Sequence, residues 1–524
     1  MNALTGKKFN VTGLCNPKLH YMVDTSEKIN IIIRSYINQG AYFTLNRARQ
    51  YGKTTTLSFL ERELEKDNIV IRMSFEGKSE YFASSEIFAG AIRKHIINSV
   101  KSKHKRLSMI WDTPVDQNFP MSYLQERITE FCESSDKNVV LMIDEVDHAS
   151  DFDVFLDFLG MLREMYLARV DQNIPAFQSV ILAGVHDIKN LKRRIRPREK
   201  HSYNSPWNIA AECEVDLSFS PSEIVTMLNS YENDHTTGMD ANAVAERIFY
   251  YTNGYPYLVS SLCKIMDDAS LNWSPKGVDK AEGRLLKKDN SLFDDVIKNI
   301  ENIESFSNLV RQVILGDTSV TFEKRNPVID LGVMYGILIE KNGKARISNI
   351  IFETVIYDYL ISVSETRSLT VKYAEEESTF IRNDKLDVDS ILRKFAKFMR
   401  SEYRDRDSAF IERQGRLLFL SFLKPIINGT GHYAVEPETR GSRRMDIVVF
   451  FGGEEYVIEL KIWRGEKAAE RGYEQLIGYL ESRGQTKGFM LSFTDNKKLP
   501  RSGKTFLFNG FEISETIVAY RDWE

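Results

Sequence analysis

AYFTLNRARQYGKTTTLSFL, residues 41–60, reads as an apolar strand, a polar loop ending in Gly52-Lys53-Thr54, and the first turns of a helix. A loop of this kind presents backbone N–H groups and a helix N-terminus to phosphate. The lysine reaches the β and γ oxygens, and the Ser/Thr hydroxyl ligates Mg²⁺. Arg49, Gln50, Tyr51, Gly52, Lys53, Thr54 and Thr55 are therefore the candidate nucleotide-binding residues. The full pattern G-x-x-x-x-G-K-[ST] asks for glycine at position 47, where this chain has Arg47.

Outward from that loop, further apolar strands are expected at Ile69–Phe75, Val139–Ile143 and Ser179–Ala183, with helical periods between them. The alternation predicts a parallel sheet covered by helices. VVLMI at 139–143 is apolar throughout, as a strand buried on both faces should be. It delivers Asp144 and Glu145 to the carboxyl edge of the sheet, where ligands bind in α/β folds. Asp144 is expected to hold Mg²⁺ with Thr54, and Glu145 to orient or deprotonate an attacking water. At the end of the next strand, Gly184-Val185-His186 reads either as a γ-phosphate sensor or as a plain turn with a surface histidine. Lys189–Lys200 is strongly basic. It reads as an arginine finger for a neighbouring subunit, a DNA contact, or a solvated loop.

The stretches GLCNPKLHYMVD (13–24), YFTLNRARQYGKTTTL (42–57), LMIDEVD (141–147), ILAGVHDIKNLK (181–192), NSPWNIA (204–210) and TNGYPYLVSSLCK (252–264) resemble the bacterial AAA-like P-loop ATPases. That family is related to the archaeal-type and STAND ATPases, and its members often carry a C-terminal PD-(D/E)XK nuclease domain. Loops lacking the first glycine resemble the usual form there. The resemblance spans roughly residues 7–365 and implies ATP as cofactor, a three-layer α/β core, a helical lid and a winged helix. It also suggests that His20–Asp24 helps to form the adenine pocket, against a plain packing role.

From Ser291 the texture changes. Helical segments lead to GILIEKNGKARISN (336–349), two short strands about Asn342-Gly343, a strong type I′ hairpin signal. The helix Ile350–Ile361 follows, in the order of a winged-helix module. Residues 364–386 are polar and aperiodic and are expected to be a linker. The expected divisions are an ATPase core at 1–215, a helical lid at 216–285, a winged helix at 286–363, the linker, and a C-terminal domain at 387–524.

In that last part, RRMDIVVFFGGEEYVIELKIW (443–463) holds two apolar strands about Gly452-Gly453. A hairpin centred on the glycines sets Asp446 opposite Glu459, with Lys461 on the same face as Glu459. Two facing carboxylates want a cation, and oxygen donors suit Mg²⁺ or Mn²⁺. Lys461 would then position or deprotonate a water, or stabilise the transition-state phosphate. A solvated face with a Glu–Lys contact is the competing reading. The arrangement resembles the D…(D/E)-x-K core of PD-(D/E)XK nucleases, within a mixed-sheet, restriction-endonuclease-like fold over residues 387–524. The helix EKAAERGYEQLIGYLES (466–482) resembles the exonuclease-type Q-x-x-x-Y motif in Gln475 and Tyr479. Glu412 stands where that branch often has an acidic residue, with Gln414 or a plain surface role still open. Arg440, Arg443 and Arg444 read either as phosphodiester contacts or as a solvated approach to the strand.

Bulk properties bound these expectations. The chain has 524 residues, 42% hydrophobic and 27% charged, so several ordinary globular domains are expected. Its net charge of −4 excludes a histone-like polycation. Residues 381–524 hold 25 Lys and Arg against 22 Asp and Glu, net +3, which leaves −7 for the remainder. The C-terminal part is thus the better place to meet nucleic-acid phosphates. Cys15, Cys132, Cys213 and Cys263 form no C-x-x-C and suggest no disulfide framework. Tyr251, Tyr255 and Tyr257 about Gly254-Pro256 read as helix–turn core, and Cys263 as buried. MNALTGKKFNVTG has no apolar signal region and no 18-residue apolar run occurs, so a cytoplasmic location without a membrane is expected.

The combined expectation is an ATP-hydrolysing, oligomeric protein coupled to Mg²⁺-dependent cleavage of nucleic acid, DNA before RNA. Defence against foreign DNA fits such a pairing. The alternative is a nucleotide-gated sensor or interaction protein that barely turns ATP over and holds nucleic acid without cutting it.

Overall fold

The structure is a computed structural model that describes residues 6–111, 120–149, 152–185, 207–315, 319–365, 380–402, 412–427, 431–435, 447–494 and 503–519. The chain divides into two compact units. The first comprises residues 1–249, 254–264 and 334–336; the second comprises 250–253, 265–333 and 337–524.

The first unit is built on five parallel strands: β1 (Tyr42–Asn46), β2 (Asn68–Ser74), β3 (Asn138–Asp144), β4 (Ser179–Gly184) and β5 (Ala211–Glu212). Their order in the sheet is β2-β3-β4-β1-β5. The four strands expected from sequence are present, each with ends shifted by one residue at most. Helix α1 (Lys53–Leu64) packs on one face, where Leu57, Leu60 and Leu64 meet Phe43, Leu45, Val140, Met142 and Ile181. Helices α2 (Ser85–Val100), α3 (Met121–Glu133) and α4 (Asp153–Gln172) cover the other, burying Tyr42, Ile71, Leu141, Ile143 and Leu182. Alternate residues of each strand thus enter different cores, which is why apolar residues occupy both faces of the strands.

Helix α5 (Pro221–His235) begins with a capping box: Ser220 accepts from the Glu223 N–H while Glu223 accepts from the Ser220 N–H, and Pro221 opens the first turn. Tyr21 packs its ring on Phe9 and on Tyr231 of α5, and its hydroxyl donates to Asp234. Tyr21 is therefore a packing residue of this unit. Tyr251 and Tyr255 are buried, as is Cys263, and all four cysteines are free thiols.

In the second unit, helices α6 (Pro275–Leu286), α7 (Ser291–Glu301), α8 (Glu304–Leu315) and α9 (Pro327–Met334) lead to the hairpin β6 (Leu338–Lys341) and β7 (Lys344–Ile347), then α10 (Ile350–Glu365). Asn342 and Gly343 both have positive φ, 55° and 72°, the type I′ geometry that Asn-Gly favours. The tail of the expected linker is ordered: β8 (Ile381–Arg382) and β9 (Lys385–Leu386) form a small antiparallel hairpin. Its turn residues Asn383 and Asp384 also have positive φ, a turn signal hidden by the polar composition.

Helices α11 (Val388–Glu402) and α12 (Glu412–Ile427) then precede a six-stranded mixed sheet. Its strands are β10 (His432–Val435), β11 (Ile447–Phe451), β12 (Glu454–Ile462), β13 (Lys487–Thr494), β14 (Lys504–Phe508) and β15 (Phe511–Ala519), in the order β10-β11-β12-β13-β15-β14. Helix α13 (Glu466–Arg483) connects β12 to its parallel neighbour β13. Among the described residues, no helix is long and apolar enough to cross a membrane.

Gly254 ties the first unit together. Its φ is +73°, and an added Cβ would stand 2.1 Å from the carbonyl oxygen of Phe219. Gly254→Ala is expected to cost about 2–4 kcal/mol through backbone strain and that collision. Denaturant unfolding of the full chain, followed by a probe in the first unit, measures it; an unchanged midpoint contradicts the geometry.

Candidate functional site

The first cluster lies at the carboxyl edge of the parallel sheet. β1 ends at Asn46, and the loop 47–52 turns into α1 through Gly52, whose φ of 82° lies in the left-handed region that favours glycine. Gln50 is also left-handed, at 56°. These two reversals wrap the loop around Lys53, which is 6% exposed. Its ammonium donates to the carbonyls of Arg47 and Ala48, each at 3.0 Å. Burial pushes the Lys53 pKa down, while Glu145, Asp147 and Asp144 draw it back up. Thr54, the next residue, is exposed on the first turn of α1, and Thr55 is half-buried.

Arg47 has a definite job. Its guanidinium donates to the carbonyls of Asn46 at 2.7 Å, Cys213 at 2.9 Å and Val215 at 2.7 Å, while its own N–H donates to the Gly184 carbonyl at 3.1 Å. A glycine would leave the carbonyls after β5 without these donors, so the departure from the full glycine pattern is structural. The loop is also fastened at Arg49, whose carbonyl accepts from the Tyr255 hydroxyl, with Tyr51 edge-on to Tyr255 at 4.7 Å. Sequence reasoning had Tyr255 as core only; its hydroxyl contact with the loop carries no signal in the residue pattern.

Across the β4 strand stand the carboxylates. Asp144 closes β3 and is 3% exposed. Its Oδ1 accepts from the Glu145 N–H at 3.0 Å, and Glu145 is left-handed at φ 54°. Burial pushes the Glu145 carboxyl above its ordinary range; Lys53 opposes this, and Asp144, Asp147 and Glu76 reinforce it. A raised pKa suits a base that must take and release a proton near neutrality. The structure thus gathers Lys53, Asp144 and Glu145, and adds Asp147, to which sequence reasoning gave no role. Asn46 Oδ1 is buried with no hydrogen-bond partner among the described residues, an acceptor that a donor on a bound group or its water would satisfy. His186 and Lys189–Lys200 lie outside the described residues.

The second cluster is on the mixed sheet. Gly452 and Gly453 have positive φ, 59° and 83°, and the hairpin has the register expected from them: Ile447 faces Ile458 and Phe451 faces Glu454. Asp446, like Arg440, Arg443 and Arg444, lies outside the described residues. Glu459 is fully buried, and its Oε1 stands 2.9 Å from the ammonium of Lys461, whose side chain is 25% exposed. Helix α13 covers this face. Gly472 lets it approach, since an added Cβ there would stand 3.3 Å from Met490 Cε and 3.6 Å from Lys461 Cγ. Gln475 is half-buried on the helix and Tyr479 is buried in its core with Val448 and Val457. Glu412 and Gln414 stand in the first turn of α12, where the side chains are outside those described.

No protein-family model matches the chain, and no curated protein matches it. Solved structures with partial likeness include the Walker-type ATPase of Pyrococcus abyssi, at 13% identity over 66% of this chain and 99% of that chain, with a TM-score of 0.43. The Aeropyrum pernix ORC1 protein in complex with DNA has 12% identity over 66% and 94%, with a TM-score of 0.31. AMPPCP-bound DnaA from Aquifex aeolicus has 12% identity over 67% and 93%, also at 0.31. At such scores the likenesses carry no functional argument, and function rests on the residues themselves.

Arg47→Gly, which restores the glycine pattern, is expected to destabilise the first unit by about 1–3 kcal/mol by orphaning buried carbonyls. Nucleotide affinity, measured by titration of a fluorescent ATP analogue, is expected to fall. Tighter binding by the variant contradicts the role given to Arg47.

Proposed function

We propose that the chain binds and hydrolyses ATP in its first unit and cleaves nucleic acid with a divalent metal in its second. The observation that carries the first part is the buried Lys53 held by two loop carbonyls beside a glycine-turned helix start, with Asp144 and Glu145 facing it from β3. Phosphate oxygens would replace those carbonyls as partners of the ammonium, and the amides of Gly52–Thr55 at the start of α1 would cradle them. The donor set fits a hard cation: the Thr54 hydroxyl and the Asp144 carboxylate are oxygen ligands. Mg²⁺ there would neutralise charge on the β- and γ-phosphates. Glu145, with its raised pKa, takes a proton from water or orients it.

In the second unit the supporting observation is a carboxylate, Glu459, buried beside Lys461 on an apolar sheet. A buried carboxylate is costly unless it is compensated, and one lysine with a metal supplies that compensation. Mg²⁺ or Mn²⁺ would be held by Glu459 together with Asp446 and would polarise the scissile phosphate. Lys461 positions the water or the phosphate, and Gln475 and Glu412 complete the set by family resemblance. On this reading the divisions are the core at 1–215, lid at 216–285, winged helix at 286–363 and nuclease at 387–524, with the linker from 364 giving way to the hairpin at 381–386. DNA is the expected substrate and an oligomer the expected state.

ATP turnover by the parent is expected to exceed that of Lys53→Ala and Glu145→Gln by at least about 10-fold, with Glu145→Gln still binding nucleotide. Parental turnover equal to the variants', with ATP still bound, leaves the nucleotide-gated sensor instead. A cleavage panel of single- and double-stranded DNA and RNA with Mg²⁺ or Mn²⁺, with and without ATP, tests the second part. At least one substrate is expected to be cut by the parent and spared by Lys461→Ala; none distinguishing the two ends the nuclease assignment.

A further inference from the structure

The acidic turn after β3 contains a third carboxylate, Asp147, that neither the phosphate loop nor metal ligation explains. Its Oδ2 accepts the backbone N–H of Val185, one residue beyond β4, at 2.6 Å. The preceding residue, Gly184, gives its carbonyl to the Arg47 N–H of the phosphate loop at 3.1 Å. The tip of β4 is therefore hydrogen-bonded on one side to the loop that wraps Lys53, and on the other to the turn that carries Glu145.

Between these two bonds sits a strained residue. Glu145 holds φ at 54°, a region that non-glycine residues occupy only when their surroundings enforce it. Two hydrogen bonds do so here, the Glu145 N–H donating to Asp144 Oδ1 at 3.0 Å and its carbonyl accepting from the His148 N–H at 3.3 Å, and the next residue, Val146, is buried at 1% exposure. Asp147 anchors the same turn to β4. There is no room to spare at the anchor. A Cβ added to Gly184 would stand 2.9 Å from Val146 Cγ2 and 3.0 Å from Asp147 Oδ2.

We infer that Asp147 is a positioning residue: through the Val185 N–H it fixes the strained turn so that Glu145 faces the phosphate loop at a set distance. The inference deepens the ATPase reading and rests on it. Asp147 works as a hydrogen-bond acceptor in this role, so an asparagine side-chain oxygen can replace it and an alanine cannot. Misplacing a base by about 1 Å can cost up to 100-fold in rate while leaving ground-state binding alone.

The test is steady-state ATP turnover and nucleotide affinity for the full-length parent, Asp147→Ala, Asp147→Asn, Gly184→Ala and the double variant Asp147→Ala/Glu145→Gln. Asp147→Ala is expected to lower kcat about 10- to 100-fold, with ATP-analogue affinity within about 3-fold of the parent. Asp147→Asn is expected to recover most of the rate, and Gly184→Ala to copy the alanine defect. In the Glu145→Gln background, Asp147→Ala is expected to cost nothing further, because both act through one group. Amide exchange at Val185 is expected to quicken in Asp147→Ala, a readout that needs no turnover. Unchanged kcat in Asp147→Ala, an asparagine variant as slow as the alanine one, or unchanged exchange at Val185 each overturns the inference. Parental turnover no higher than that of Lys53→Ala overturns the ATPase reading as well. Slow Asp147→Ala against an active parent leaves that reading intact.

Discussion

An ammonium removed from water must find oxygen, and in this protein Lys53 does so within its own loop. Leaving a buried charge without partners costs several kcal/mol, so a chain that buries this lysine has to bend its backbone to present carbonyls. The loop does that at Arg47 and Ala48, and the left-handed Gln50 and Gly52 are the reversals that make the bend possible. Arg47 holds the outer side of the loop to the carbonyls after β5, and Tyr255 holds Arg49. The carboxylates of Asp144, Glu145 and Asp147 supply opposite charge from the end of β3, one strand removed from β1. On the proposed reading the loop is a preorganised anion cradle: the ammonium is already in place, and only its partners would change on phosphate binding.

The second unit solves the mirror problem. Glu459 is a carboxylate buried in a sheet, and Lys461, two residues on, turns to the same face and reaches it at 2.9 Å. Helix α13 packs on the same face, with Gly472 near Met490 and the Lys461 stem. Both units therefore place a lysine beside carboxylate where apolar strands end or pair. In both, burial is costly, and a hydrophobic pair of the same volume would serve stability at least as well.

Much of this was legible in the sequence because period and turn chemistry are local. The four main parallel strands follow from predominantly apolar runs, and both hairpins follow from Asn-Gly and Gly-Gly, which select one register each. The roles of Arg47, Asp147 and Tyr255 were not legible. Each depends on a partner far along the chain, at Cys213 and Val215, at Val185 and at Arg49 respectively. The insertion of β4 between β1 and β3 creates the Asp147 contact and the pairing of β5 with β1 creates those of Arg47, and strand order is a tertiary outcome that no local period encodes. Residues 381–386 were read as linker because their polar composition hides a turn; Asn383 and Asp384 tolerate the left-handed backbone that closes it.

The central claim is that the loop from Ala48 to Thr55 is a phosphate cradle. Amide hydrogen exchange of the full chain, with and without saturating magnesium and a non-hydrolysable ATP analogue, tests it most directly. The account predicts that amides in 48–55 gain about 10-fold or more protection on binding, as their N–H groups pass from solvent to phosphate oxygen. Exchange in 48–55 that does not change under saturating analogue would contradict the claim.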